Sequence, residues 1–178
     1  MTYEEKTISS EMIYEGAILN LRKDKVQVKG GDTSYREIVE HAGGVAIAAL
    51  TDDQKLLMVK QYRKAADEVV LEVPAGKREG DEDPLFTGMR ELKEETGYTA
   101  AKLEYLTSYY SSIGYSEEVI HIYLATGLTA GETEFDEHEA IELYEYSIED
   151  LKQMIAEGEI IDGKTIIAIL LTAAKLGI

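Results

Sequence analysis

The sequence predicts an α/β (α+β) fold in which a mixed β-sheet lies between helices, preceded by a small N-terminal antiparallel β-unit. Strand-like and helix-like segments alternate over residues 41–178, but without the regular strand-helix-strand rhythm of a parallel sheet. Residues 1–40 contain only short alternating segments with little apolar mass, which are marginal as an independent fold. The chain has 178 residues, 44% of them hydrophobic, which is enough for one well-buried core.

Three short strands are predicted in the N-terminal unit. They have the sequences KTISSEMIYEG, AILNLRKDKVQV and SYREIVEHA. The last two are joined by KGGDT, whose two glycines and aspartate are typical of a hairpin turn. Because their hydrophobic face is thin, we expect these strands to pack on the rest of the chain or on a second subunit.

The strands of the larger domain are more apolar. Residues 44–50 and 55–62 are continuous apolar runs separated by a polar turn, a pattern typical of central strands covered on both faces. Residues 68–73 form a shorter strand that leads into a predicted turn at Pro74-Ala75-Gly76. Further strands are expected at 101–111, 118–126 and 141–147, with a mobile acidic loop over 128–140.

Two helices are predicted near the C-terminus. One begins at Ser147, where Asp150 completes a capping-box pattern, and ends near Glu157. The other runs from near Asp162 to about Lys175. With an earlier helix at 84–96, they supply the helical layers around the sheet.

The helix predicted for residues 84–96 has two distinct faces. Asp83 can cap its start, Pro84 suits its first turn, and Gly97 suits a left-handed exit. One face is expected to pack on the core, since apolar residues and a threonine recur on it at helical spacing: Leu85, Met89, Leu92 and Thr96.

A second face of this helix is acidic. Glu91, Glu94 and Glu95 fall together beside Arg90. Like charges at these spacings cost roughly 0.2–0.5 kcal/mol per pair on an isolated helix. A divalent cation would reverse that effect, and carboxylate oxygens suit Mg2+ or Mn2+, while Arg90 could hold Glu94 through an i, i+4 pair. The alternative is a solvated acidic face in a chain that is already rich in acid.

Residues 76–98 match a longer pattern, G-x5-E-x7-R-E-U-x-E-E-x-G-U, at every specified position, where U is apolar or aromatic. This pattern resembles the signature of the Nudix hydrolases. The segments Gln61-Tyr62-Arg63, 72–77 and 112–118 resemble the ADP-ribose pyrophosphatase branch of that family. The resemblance extends over nearly the whole chain.

The resemblance implies an α/β/α sandwich and Mg2+-assisted hydrolysis of a nucleoside diphosphate linked to another group, with Mn2+ as a possible substitute. It assigns metal ligation to Glu91 and Glu95, with Glu94 binding directly or through water. The backbone carbonyl of Ala75 is a further ligand. The remaining catalytic residues are Arg90 and a general base, for which Glu139 is the better match and Glu137 the alternative.

The resemblance also implies a set of charged substrate-binding residues. Arg63 could bind the diphosphate through two hydrogen bonds, or it could form a surface ion pair. Arg36 and Glu37 match positions that approach the nucleotide from a neighbouring subunit, and Glu72 matches one that binds the adenine edge. These three could equally be ordinary cross-strand charges.

A loop at residues 112–118 carries two further candidates, Gly114 and Glu118, which the resemblance places near the terminal ribose and metal-bound water. Relatives commonly have Ser-Pro-Gly in this loop, whereas this chain has Ile113 in place of the proline. The loss of proline removes a restraint on φ and adds bulk. The exact sugar is therefore left open by the sequence.

Composition excludes several classes of function. The chain has 35 acids and 18 bases, a formal charge of −17, which argues against sequence-independent nucleic-acid binding. It has no cysteine, no apolar run long enough for a membrane span, and an acidic N-terminus unlike a secretory signal. Composition is thus consistent with a cytoplasmic protein, and the family resemblance implies a homodimer that splits ADP-ribose to AMP and ribose 5-phosphate. The alternatives are a pyrophosphatase for another nucleotide sugar, such as ADP-glucose or GDP-mannose, and a non-catalytic nucleotide-binding regulator.

Overall fold

The computed structural model describes residues 3–132 and 141–178. The chain divides into two compact units. The first contains the N-terminal residues through Gly43 together with Tyr110–Val119, and the second contains Gly44–Tyr109 and Ile120–Ile178. The elements of the described residues are β1 (Lys6–Glu15), β2 (Asn20–Gln27), β3 (Thr33–Glu40), β4 (Gly44–Ala49), β5 (Lys55–Arg63), β6 (Glu68–Glu72), β7 (Ala75–Lys77), α1 (Pro84–Thr96), β8 (Tyr98–Tyr110), β9 (Val119–Ala130), β10 (Glu142–Ser147), α2 (Ile148–Glu157) and α3 (Gly163–Leu176).

The first unit is the predicted antiparallel β-unit. Strands β1, β2 and β3 form one sheet in that order, and both strand pairs are antiparallel. Gly30 and Gly31 have φ values of 100° and 92°, so the turn between β2 and β3 uses the conformational freedom of glycine. Residues 110–119 add to this sheet, because the Val39 N–H donates to Tyr115 O at 2.7 Å.

The second unit contains the α/β/α sandwich. Its mixed four-stranded sheet has the order β7-β4-β9-β8, with β4 parallel to β9 and antiparallel to β7, and a separate antiparallel sheet has the order β10-β5-β6. Every residue of β4 is buried. Val45 and Ile47 share a cluster with Leu92 of α1, whereas Ala46 shares one with Ile169 of α3. Because strand side chains alternate between faces, α1 and α3 cover opposite sides of β4, and the predicted mixed sheet between helices is confirmed.

Helix α1 has the predicted ends but a rotated core face. Asp83 accepts a hydrogen bond from Leu85 N at 2.8 Å, and Gly97 leaves the helix at φ 75°. The prediction that Met89 faces the core was wrong, because its side chain is 44% exposed. Gly88 occupies that position, and a Cβ there would lie 3.1 Å from Leu103 and 3.2 Å from Val45. The small residue lets the helix lie close to the sheet.

The turn predicted at residues 74–76 is instead the start of strand β7. Ala75 and Gly76 pair with Ala46 and Val45 of β4, and Pro74 O accepts a hydrogen bond from Ile47 N at 2.8 Å. The edge of β4 supplies backbone partners that outweigh the local turn preference of these residues. This pairing sets the backbone of β7 beside α1.

Most of the remaining elements follow the sequence. β8 is one continuous strand, but β9 extends to Ala130, so the prediction that a loop begins at residue 128 was wrong. Ser147 caps α2 by accepting from Asp150 N at 3.1 Å, and Asp162 caps α3 by accepting from Thr165 N at 3.1 Å. Within residues 3–132 and 141–178, no helix combines the length and apolarity that crossing a membrane requires.

Candidate active site

A cavity of about 290 Å³ lies in the second unit, between the end of β5, strand β7 and helix α1. It brings together nine residues that are either specified by the sequence pattern or lie in its flanking segments. They are Gln61, Arg63, Ala75, Gly76, Lys77, Arg90, Glu91, Glu94 and Glu95.

Arg90 links the acidic residues of this cavity. Its Nη1 donates to Glu91 Oε1 at 2.8 Å and to Glu94 Oε2 at 2.9 Å, so the predicted i, i+4 pair is present. Its Nη2 donates to Glu82 Oε2 and to Lys77 O, both at 3.2 Å. Partial burial alone would lower the pKa of Arg90, but these carboxylates raise it above its ordinary value. Arg90 therefore offsets the mutual repulsion of the acids.

Strand β7 fixes the positions of two carboxylates. The Ala75 N–H donates to Glu95 Oε2 at 2.9 Å, and Glu95 is only 5% exposed. A Cβ on Gly76 would lie 1.8 Å from the carboxylate carbon of Glu91. Only a residue without a side chain at Gly76 leaves that space to Glu91.

The chemistry of the cavity suits a hard divalent cation, because Glu91, Glu94 and Glu95 contribute carboxylate oxygens to its wall. Among the described residues, however, no three acidic or imidazole side chains stand close enough together to hold one ion. Arg90 occupies oxygens of two of the three glutamates. A cation would therefore compete with Arg90 for Glu91 and Glu94.

Arg63 and Glu72, two predicted substrate-binding residues, bind each other. Arg63 Nε donates to Glu72 Oε1 at 2.6 Å, and Nη2 donates to Oε2 at 2.9 Å. Glu72 is 2% exposed, whereas the side chain of Arg63 is 42% exposed, so the pair joins a buried carboxylate to a partly exposed guanidinium and is not the surface pair considered from the sequence. Burial alone would raise the pKa of Glu72, but hydrogen bonds from Arg63 and the charge of Lys164 hold it below its ordinary value.

The partners of Glu72 on α3 were not found from the sequence. Lys164 donates to Glu72 and, at 2.9 Å, to Asp162 Oδ2. Thr165 Oγ1 donates to the same Asp162 oxygen at 2.6 Å and accepts from Val73 N at 3.0 Å. The sequence predicted the start of this helix near Asp162. It did not predict the contacts from Lys164 and Thr165 to the end of β6, because each joins residues 92 positions apart.

Arg36 and Glu37 lie on β3 in the first unit. Arg36 Nε and Nη2 donate to the two carboxylate oxygens of Glu5 at 2.9 and 2.5 Å, and Nη1 donates to Tyr35 O at 2.8 Å. Glu37 is exposed and stands opposite Lys23 on the neighbouring strand. The pair with Glu5 thus accounts for Arg36 within this unit, whereas the ammonium group of Lys23 lies over the ring of Tyr35, 4.9 Å from its centroid.

Gly114 and Glu118 lie in the segment that packs on the first unit's sheet. Gly114 lines a cavity of about 360 Å³ together with Arg36 and Ile113, and Ile113 is 81% exposed. Glu118 Oε1 lies 3.1 Å from His41 Nδ1. The segment 110–119 therefore belongs structurally with β3, a grouping the sequence did not indicate.

Arg22 fastens this segment to the sheet and was also missed in the sequence. It binds Glu117 at 2.9 Å, Asp24 at 3.0 Å, and Glu40. The predicted general base, Glu139, and its alternative, Glu137, lie outside the described residues.

Comparison with known families gives two matches that together span most of the chain. The family described as "NUDIX domain" matches residues 40–167, and the family described as "Nucleoside diphosphate sugar hydrolase N-terminal domain" matches residues 5–39.

Two relatives are similar along nearly their whole length. The "ADP-ribose pyrophosphatase" of Bacillus subtilis is 45% identical over 168 residues, which are 93% of this chain and 91% of that protein. The "Methanol dehydrogenase activator" of Bacillus methanolicus is 45% identical over 169 residues, which are 94% of this chain and 91% of that protein.

A solved structure described as "ADP compounds hydrolase" has the same fold. The TM-score is 0.88 with 18% sequence identity, and the alignment covers 99% of this chain and 96% of that one.

Proposed function

Because the chain belongs to the Nudix family, we propose that it hydrolyses the diphosphate of ADP-ribose to AMP and ribose 5-phosphate with a divalent cation. The observation that carries the proposal is one cavity in which three glutamates of α1 stand beside Arg63. The 45% identity to a relative named ADP-ribose pyrophosphatase supports the choice of substrate.

In this proposal, the carboxylates of Glu91, Glu94 and Glu95 and the carbonyl of Ala75 hold Mg2+, with Mn2+ able to replace it. A dication bound there would offset the charge of the diphosphate and would lower the pKa of a water molecule. Without the cation, Arg90 holds Glu91 and Glu94 in place and balances their charge, and a bound cation would replace Arg90 at some of these oxygens.

The remaining roles are positioning and proton transfer. Arg63 binds a diphosphate oxygen, and Glu72 orients Arg63 or reaches the adenine edge. Glu139, or alternatively Glu137, accepts the proton of the attacking water. The other substrate contacts proposed are those of Arg36, Glu37, Gly114 and Glu118.

We further propose that the protein is a cytoplasmic homodimer whose first unit forms the subunit contact. All ten residues of β1 are exposed, among them Ile8, Met12, Ile13 and Tyr14, which are between 44% and 58% exposed. A strand carrying this much apolar surface is expected to pack on another surface. A second copy of the chain, related by a two-fold axis, offers the same face in return.

The test is hydrolysis of a substrate panel with Mg2+, read as release of AMP or GMP from ADP-ribose, ADP-glucose and GDP-mannose. We expect ADP-ribose to give the highest kcat/KM. Preference for GDP-mannose would reject the adenine assignment in favour of another nucleotide sugar.

Glu95→Gln tests whether the cavity is catalytic. The change removes one carboxylate charge without a change in size, and turnover should fall by at least about a hundredfold, as expected when an electrostatic contact to the reacting groups is lost. Glu149→Gln, at an exposed position of α2, is the control and should hydrolyse normally. Normal turnover in Glu95→Gln would reject the assignment of the metal ligands.

A second candidate function is activation of a dehydrogenase, favoured by the equal identity to the Bacillus methanolicus relative. Adding this protein to a methanol dehydrogenase tests it. Activation that survives in Glu95→Gln would indicate a binding role separate from hydrolysis, whereas its loss would tie activation to the cavity.

A further inference from the structure

Lys164 places a second positive charge on the buried carboxylate of Glu72. Its Nζ donates to Glu72 Oε2 and, at 2.9 Å, to Asp162 Oδ2. The side chain of Glu72 is 3% exposed and that of Lys164 is 16% exposed. Water therefore contributes little to this contact, and the charge of Glu72 is balanced by protein groups.

The same carboxylate holds Arg63 at the wall of the cavity. Glu72 Oε1 accepts a hydrogen bond from Arg63 Nε, and Glu72 Oε2 accepts one from Arg63 Nη2. These two described hydrogen bonds of Arg63 use Nε and Nη2 and not Nη1, so Nη1 is the group we assign to an anionic ligand. The orientation of the guanidinium therefore depends on where Glu72 is held.

The balance of charge around Arg63 depends on Lys164. Glu72 alone would offset the single positive charge of Arg63, and Glu95 and Asp162 attract it further. Lys164 adds one positive charge at Glu72. Asp162 is also used at the start of α3, where it accepts hydrogen bonds from both the backbone N–H and the hydroxyl of Thr165.

We propose that Lys164 is a positioning residue for substrate binding, which acts by holding Glu72 so that Arg63 faces the cavity with part of its positive charge unneutralised. The proposal rests on the proposed function and names one part of it: the recognition of the diphosphate. Helix α3 contributes no lining residue to the described cavity, but under this proposal it affects the affinity for substrate.

The test is the division of an activity change between KM and kcat in Lys164→Met and Lys164→Gln. Both changes remove the ammonium charge at Glu72. The carboxylate of Glu72 then neutralises the charge of Arg63 more fully, and the net charge near the diphosphate becomes more negative. We expect KM for ADP-ribose to rise about tenfold, because the charged contact between Arg63 and the diphosphate is weakened, with kcat within about twofold. Lys164→Arg keeps the cation and should restore KM to near the wild-type value.

Two controls separate positioning from stability. Lys175 is an exposed lysine of the same helix, and its side chain binds Glu104. Lys175→Met should leave KM unchanged. If Lys164→Met does not fold, Lys164→Gln keeps a hydrogen-bond donor at the site and provides the same comparison. A wild-type KM in folded Lys164→Gln would overturn the proposal, as would a fall in kcat with KM unchanged.

A double-mutant cycle tests the route through Arg63. In an Arg63→Met background, Lys164→Gln should raise KM no further, because the group it acts on is gone. Full additivity of the two effects would overturn the route. Failure of the proposed function is recognised separately, since the wild-type protein would then not hydrolyse ADP-ribose at all.

Discussion

Strands β4 and β1 show that the two units of this protein are stabilised differently. Every residue of β4 is buried and every residue of β1 is exposed. Helices α1 and α3 cover the two faces of β4, so the second unit completes its own hydrophobic core. β1 keeps large apolar side chains in contact with solvent at the edge of a three-stranded sheet. One unit thus buries its apolar residues within itself, while the other presents them on a surface suited to association.

Two charge pairs, one from each unit, differ in their exposure. Glu72 in the second unit has a nearly fully buried side chain and is shared by two cations. The pair between Arg36 and Glu5 in the first unit is 41% and 37% exposed. Removing one partner of a buried pair leaves a charge without water, whereas an exposed pair contributes only about 0–1 kcal/mol. A charge change should therefore affect stability more at Glu72 than at Glu5.

The largest difference is expected for one pair of isoleucine substitutions. Ile122 is fully buried, whereas Ile13 is 50% exposed on β1. Ile122→Ala should lower the free energy of unfolding by about 2–5 kcal/mol, because it leaves a cavity in the core.

The matched change Ile13→Ala should lower the free energy of unfolding of the monomer by no more than about 0.5 kcal/mol. Denaturant unfolding of the two variants measures both values. Equal losses would show that the two units are not stabilised as differently as their burial implies.

A smaller effect is expected from Glu72→Gln, and it should depend on pH. Because the folded pKa of Glu72 lies below its ordinary value, its stabilising contribution is complete above about pH 4.3, the pKa of a free glutamate, and is lost as the pH falls through the lowered folded pKa. At pH 7 the variant should be less stable by about 1–3 kcal/mol, since the largely buried Lys164 and the partly exposed Arg63 both lose their partner charge.

The measurement is the free energy of unfolding from pH 7 down to pH 3 for the wild type and the variant. The difference in the free energy of unfolding between the wild type and Glu72→Gln should decrease as the pH approaches 3. Glu149→Gln, whose side chain is 82% exposed, serves as the control and should follow the wild type throughout. A difference that is constant with pH would show that the charge of Glu72 does not stabilise the fold.

The smallest effect is expected from Ile13→Lys, which acts on association rather than on folding. A lysine on β1 would place a charge in the proposed subunit contact, and the dimer dissociation constant should rise at least about tenfold. Sedimentation at micromolar concentration measures it, with Leu170→Lys at an exposed position of α3 as the control. A wild-type protein that is monomeric under these conditions would contradict the dimer itself.

Much of the second unit was predictable because its signals are local. Asp83 and Gly97 define the ends of α1 through their own backbone preferences, and the acidic face follows from helical spacing alone. Gly88 in place of Met89 at the core face was not predictable, because the choice depends on how closely the helix approaches Val45 and Leu103. Hydrophobicity favours methionine, but the available space favours glycine.

By itself, the sequence determined the mixed α/β architecture, the helix caps, the glutamates beside Arg90 and the family, because each depends on residues close together in the chain. The tertiary structure alone decided that residues 75–77 pair with β4, that segment 110–119 joins the N-terminal sheet, and that Lys164 meets Glu72. These contacts join backbone edges and buried charges far apart in the chain. Their partners are selected by desolvation and by hydrogen bonds that only the folded chain can complete.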